Sequence, residues 1–329
     1  MSALPRMYRS PGPLRPVLLA IVLAAPLFAG ASGAQAPRAA EGLVTRSAGR
    51  CGVCHPKDRV AFEASPHSRE EVRCVSCHGG DDGAIDEKSA HSGNGWRGRI
   101  SRRQVPELCA SCHSKSKLMQ PYDLPVDQYA LYLTSAHGRK LQEGDTKAAV
   151  CSDCHGAHDI LAASDPMSRV YVTNIPRTCG SCHGDSTLIA ARGMKDVYRG
   201  YLTSVHAKEL FDAGNLGAPT CVSCHGVHGA APAEVADVNK VCGRCHTQER
   251  RFFLSGPHAS GMSRNDLSEC TSCHGDHAIQ ASDPERLASS CVDCHDAGDR
   301  EAKLGEQLLA DYRSAIHEIE KAEKWVAKA

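Results

Sequence analysis

One pentapeptide, Cys-x-x-Cys-His, accounts for every cysteine in the chain and constrains what it can fold around more than any other feature. In chain order its nine copies are Cys51, Cys54 and His55; Cys74, Cys77 and His78; Cys109, Cys112 and His113; Cys151, Cys154 and His155; Cys179, Cys182 and His183; Cys221, Cys224 and His225; Cys242, Cys245 and His246; Cys270, Cys273 and His274; Cys291, Cys294 and His295. Two thiols three residues apart can reach the two vinyl groups on one porphyrin edge as thioethers. The next residue then lies under the ring and offers an axial nitrogen to iron. Zinc sites also use Cys-x-x-Cys pairs, but they need no His behind every second Cys. Thioredoxin-like sites use one such pair, and iron–sulfur clusters use other spacings. The repetition selects nine covalent haem c groups.

Nine further histidines remain: His67, His91, His137, His158, His206, His228, His258, His277 and His317. Their number equals the number of second axial ligands that nine six-coordinate irons require. Three follow a motif directly, in His155-Gly156-Ala157-His158, His225-Gly226-Val227-His228 and His274-Gly275-Asp276-His277. A His three residues beyond the proximal one cannot reach the opposite face of the same haem, so each is expected to serve a neighbour. Four stand five residues after an aromatic: Phe62–His67, Tyr132–His137, Tyr201–His206 and Phe253–His258. With Tyr129 and Tyr198 upstream, the second and third of these read as short helices ending at the histidine. His91, in Ser89-Ala90-His91-Ser92-Gly93, belongs to neither pattern. His317 follows Tyr312 by five residues, yet on a continuous helix Leu309, Tyr312, Ile316 and Ile319 share a face from which it points away. Met119, Met167, Met194 and Met262 are spare weak ligands, more readily explained as packing.

Composition fits a cofactor-filled interior. Aromatic residues are 5% of the chain, with five Phe and two Trp, too little bulk for a conventional core of 329 residues. Arg6, Arg9 and Arg15 precede an apolar run from Val17 to Ala31 and the small residues to Ala34. This reads as a signal peptide, residues 1–34, cut after Ala34 or Gly33, with an uncleaved anchor as the alternative. The expected compartment is the periplasm. Formal charge is zero, haem propionates would add acid, and no basic stripe suggests nucleic acid.

Motif spacing shows repeats. First cysteines at 109 and 179 lie 70 residues apart, as do those at 151 and 221. The expected organisation is a signal peptide (1–34), an N-terminal haem unit (35–105), a repeated paired-haem region (106–296) and a C-terminal amphipathic helix (297–329). The expected fold is mostly α with extensive loop: short helices wrapped around a stack of nine haems, and one long helix at the end.

The paired motifs, the Ser-x-His segments and the Cys-His-Gly-x-His signature resemble the doubled-CxxCH multihaem cytochromes c. These include class III-like cytochromes and the periplasmic multihaem electron carriers of anaerobic respiration. The resemblance covers roughly residues 50–296. It implies bis-His haems in a chain-like arrangement. It also implies electron exchange with redox protein partners: quinol dehydrogenases, terminal reductases or outer-membrane conduits. Membrane association is expected only with an uncleaved signal. The expectation is an electron-transfer protein without catalytic residues. The alternative is a multihaem oxidoreductase acting on a small nitrogen or sulfur compound at one open-coordinated haem.

Overall fold

The computed structural model describes residues 48–231, 238–265 and 267–328. The segment read as a signal peptide, residues 1–34, lies outside them. Regular structure among the described residues is helical, without strands, and no described helix is long and apolar enough to cross a membrane.

Most motifs form a single helical turn of their own. Cys74–His78, Cys151–His155 and Cys221–His225 are five-residue helices. Residues three apart share one face of a helix, so a turn aims both sulfurs of a pair the same way. Val105–His113 and Ile175–His183 extend the motif by one turn at the N-terminal side, each with Pro in its first turn. Proline suits that place because its missing N–H would have no partner there.

Little apolar side chain is buried. Leu141, Ala148 and Val150 form a small cluster against Val105 and Tyr132. The Tyr132 hydroxyl donates to the Ala149 carbonyl at 2.9 Å. One repeat later the Tyr201 hydroxyl donates to the Pro219 carbonyl at 3.0 Å. Each tyrosine thereby ties its helix to the segment entering the fourth or sixth motif. Meanwhile Ile85, Val53 and Phe252 stay 83%, 78% and 62% exposed.

Polar locks join successive motifs. Arg102 spans to Asp153 inside the fourth motif with two hydrogen bonds, 3.0 and 2.5 Å, and donates to the Ala148 carbonyl at 2.8 Å. This paired geometry needs a guanidinium. Asn239, one turn before Cys242, bonds Glu269, which adjoins Cys270.

The C-terminal helix runs 27 residues, Arg300–Val326. It packs on the helix Pro284–Ser290 and on the ninth motif, and Arg313 pairs with Glu285 at 2.7 Å.

Candidate functional site

Eight motif histidines each face one of the spare histidines. The pairs are His55–His91, His78–His158, His113–His67, His155–His228, His183–His137, His225–His277, His246–His206 and His295–His258, with ring centres 5.8 to 6.3 Å apart. An imidazole nitrogen binds a first-row metal at about 2.0 Å and sits about 1.1 Å from its ring centre. Two imidazoles on opposite sides of one iron therefore have centres about 6.2 Å apart. The chain's own spacing fits an iron between each pair.

The pairing follows a rule. Sites two, four and six face the histidine that closes the Cys-His-Gly-x-His segment two motifs later: His158, His228 and His277. Sites three, five, seven and nine face the histidines that follow an aromatic residue: His67, His137, His206 and His258. Site one faces His91.

Local structure explains both kinds. After the fourth and sixth motif helices the chain turns at Gly156 (φ +85, ψ 176) and Gly226 (φ +84, ψ 170), a conformation essentially reserved for glycine. The turn sends the next histidine away from its own motif. Gly226→Ala should strain this turn by about 1–3 kcal/mol and displace His228 from His155, seen as an additional high-spin iron in the EPR spectrum. Gly261→Ala, where a Cβ meets open space in the helix Pro257–Arg264, should be neutral or stabilise by up to about 1 kcal/mol. Equal spectra for the two variants would refute the role of the turn.

The other histidines do not end the tyrosine helices, as the sequence pattern suggested. The helix Gln128–Thr134 stops before Ser135, and a second helix, Ala136–Gln142, starts after it. Val197–Thr203 and Val205–Phe211 repeat the break at Ser204. The serine hydroxyl causes it by accepting a backbone N–H of the second helix: Ser135 from Gly138 at 2.9 Å and Ser204 from Ala207 at 3.1 Å. Ser65 accepts from the His67 N–H at 3.3 Å. All three serines are buried. His137 and His206 thus sit in the first turn of a capped helix. The Ala136 N–H donates to the Ala230 carbonyl and the Val205 N–H to the Ile279 carbonyl, at 3.0 and 2.8 Å. These bonds hold the two histidine-bearing segments of neighbouring repeats together.

Several rings are held by Nδ1, which leaves Nε2 for a metal. Nδ1 of His78 lies 3.2 Å from the Gly98 carbonyl, and Nδ1 of His225 lies 3.0 Å from that of Ala231. Asp58 stands 3.1 Å from Nδ1 of His158 and 3.9 Å from Nδ1 of His55. His91 stacks on Trp96 with ring centres 4.5 Å apart. Neither Asp58 nor Trp96 carried a recognisable signal in the sequence. Burial first, and then the facing imidazole, push His67, His137, His155 and His206 below the ordinary histidine value. They stay neutral and keep a lone pair to donate.

The thiols, standing where thioether sulfurs would be, report which sites adjoin. Contact with Cys151 and burial raise Cys109, and the same contact lowers Cys151. Cys179 and Cys221 repeat this arrangement. Contact with Cys270 lowers Cys242 to about 7, and burial with the neighbouring Cys51 raises Cys74 to about 11. On the other side of each motif, burial and then a neighbouring thiol raise Cys77 (beside Cys112), Cys224 (beside Cys242) and Cys273 (beside Cys294). Cys154 is raised by burial and by Asp153, with smaller contributions from Cys151 and Cys182. Site one therefore adjoins two, two adjoins three, and so on to nine.

Cys54 and Cys245 contribute least to these junctions. The sequence assigns both to haem attachment on equal terms with the other sixteen cysteines. Each is exposed, as is the second cysteine of every motif but the fourth, and its partner, Cys51 or Cys242, is half-buried. Cys54 acts on Cys51 more weakly than burial or Asp82 does. Cys245 acts on Cys224 more weakly than Cys242 does.

Two histidines are left over. Among the described residues, no imidazole ring faces His274, and His317 is exposed and not brought against any motif histidine. The expectation that His317 joins the ligand set is not met by this placement. The Arg313–Glu285 pair and the docking of the helix's first half leave His317 beyond the supported stretch. Met119 and Met262 are buried and Met167 is 80% exposed.

A family model described as cytochrome c3 matches residues 146–247. The multiheme cytochrome MtrA of Shewanella baltica (strain OS185) is 29% identical over 136 residues, 41% of this chain and 31% of that protein. The alignment thus spans about a third of the curated relative's length. No solved structure matches. The family-model match runs through four of the Cys-x-x-Cys-His motifs, from Cys151 to His246, and the two likenesses support a resemblance to multihaem cytochromes c.

Proposed function

We propose that the chain is a periplasmic nonahaem c-type cytochrome that carries electrons between respiratory donors and acceptors. One observation supports this above the others: the attachment cysteines adjoin in sequence order, from Cys51–Cys74 at one end to Cys273–Cys294 at the other. When bound, each haem supplies a one-electron iron centre.

The chain's residues do the rest. The eighteen cysteines, Cys54 and Cys245 included, would hold the haems covalently, and the nine motif histidines would each offer a nitrogen to iron. His67, His91, His137, His158, His206, His228, His258 and His277 would offer a second nitrogen and so keep other ligands away. Carbonyls and carboxylates at Nδ1 hold the rings in place. Redox proteins are the fitting partners, whether a quinol dehydrogenase, a terminal reductase or an outer-membrane conduit. A second reading, an oxidoreductase for a small nitrogen or sulfur compound, draws on the unpaired His274.

Intact mass of the matured protein tests the count, and rapid mixing with substoichiometric reductant tests the function. Nine haem increments and rapid spread of electrons over all haems are expected. Fewer than nine haems, or reduction confined to a subset, would overturn the proposal.

A further inference from the structure

We infer that the haem held by Cys270, Cys273 and His274 has no histidine of these 329 residues on its far side and leaves that position open to a small exogenous ligand. The ligand class is a small π-acceptor such as carbon monoxide or nitric oxide on ferrous iron, and a free imidazole or cyanide on ferric iron. The inference rests on the nonahaem reading and locates the one position where that reading admits an exogenous molecule.

The repeat rule carries it. Sites two, four and six each borrow a histidine from the Cys-His-Gly-x-His segment two motifs further on. Site eight would need that segment after a tenth motif. Residues 296–329 contain no Cys-x-x-Cys-His and a single histidine, His317. The two nearest candidates in sequence are already committed: His277 faces His225 at 5.8 Å and His258 faces His295 at 6.3 Å. His317 is exposed, on a helix tethered one turn earlier by Arg313 to Glu285. Binding there forms one dative bond to iron and transfers no electron, so it requires no further reactant.

The test uses the full matured chain. EPR of the air-oxidised protein should show one high-spin iron beside eight low-spin irons. The reduced protein should bind one carbon monoxide per nine haems. Both results should be unchanged in His317→Ala and on dilution. His228→Ala should add a second high-spin equivalent and calibrate the signal. Nine low-spin irons would overturn the inference and leave the carrier reading intact. A high-spin signal that appears only in His317→Ala would assign the position to His317. One that appears only on dilution would assign it to a second copy. Either result overturns the inference. Intact mass separates the two levels, since fewer than nine haems defeats the nonahaem reading itself.

Discussion

Made without haem attachment, the chain is expected to show no cooperative unfolding transition, whereas the matured protein melts sharply. Among the described residues eleven apolar side chains are buried, and five of them are alanines. Burying one large apolar side chain contributes about 1.5–3 kcal/mol. Ordering one residue of backbone costs about 1–2 kcal/mol. A few leucine- and tyrosine-sized groups cannot offset that cost over so long a chain. Nor do the α-helices before Arg300 help in isolation, since pieces of four to nine residues are far below the length at which a helix holds in water. The missing apolar volume is the porphyrin, and Val53, Ile85 and Phe252 are the kind of exposed side chain it would cover. Circular dichroism during heating, run on chain produced with and without haem maturation, measures the difference. A sigmoidal melt of the haem-free chain would refute the argument.

What the sequence disclosed, and what it hid, divides by range. The motif is local, so its nine copies and the thin core were readable at once. Which sulfur of a pair meets the next site was not, and Cys54 and Cys245 look like any other second cysteine until the turns are placed. The spare histidines were readable as a set because their two patterns are also local. Their partners were not. Nothing near His158 says that it faces His78, 80 positions earlier in the numbering, because that choice belongs to how repeats stack. The break at Ser135 had a signal, a serine two residues before His67, His137 and His206. Helical periodicity does not register a cap, so the two helices read as one. Trp96 and Asp58 act only through space and had none. His317 was drawn in by the count and by Tyr312 five residues before it, and the helix it stands on packs elsewhere.

Removing site five should sever the path. Because Cys154, Cys179, Cys182 and Cys221 adjoin in order, sites four and six are joined through five. Cys179→Ala with Cys182→Ala should remove that haem and leave eight, verified by mass. The experiment is the conductance of single molecules anchored through Ile85→Cys and Trp325→Cys, positions 83% and 75% exposed. Current should fall by orders of magnitude, because tunnelling decays exponentially with the gap between centres. His137→Ala is the control: it keeps the haem of site five attached by its cysteines and by His183, and removes only the facing ring at 6.1 Å. It should preserve most of the current while adding one high-spin iron. If the alanine pair conducts like the parent, the sites are branched rather than serial. If His137→Ala also abolishes conduction, axial ligation rather than spacing limits the path. With both variants behaving as expected, the order of cysteines along the sequence is itself the order of the wire.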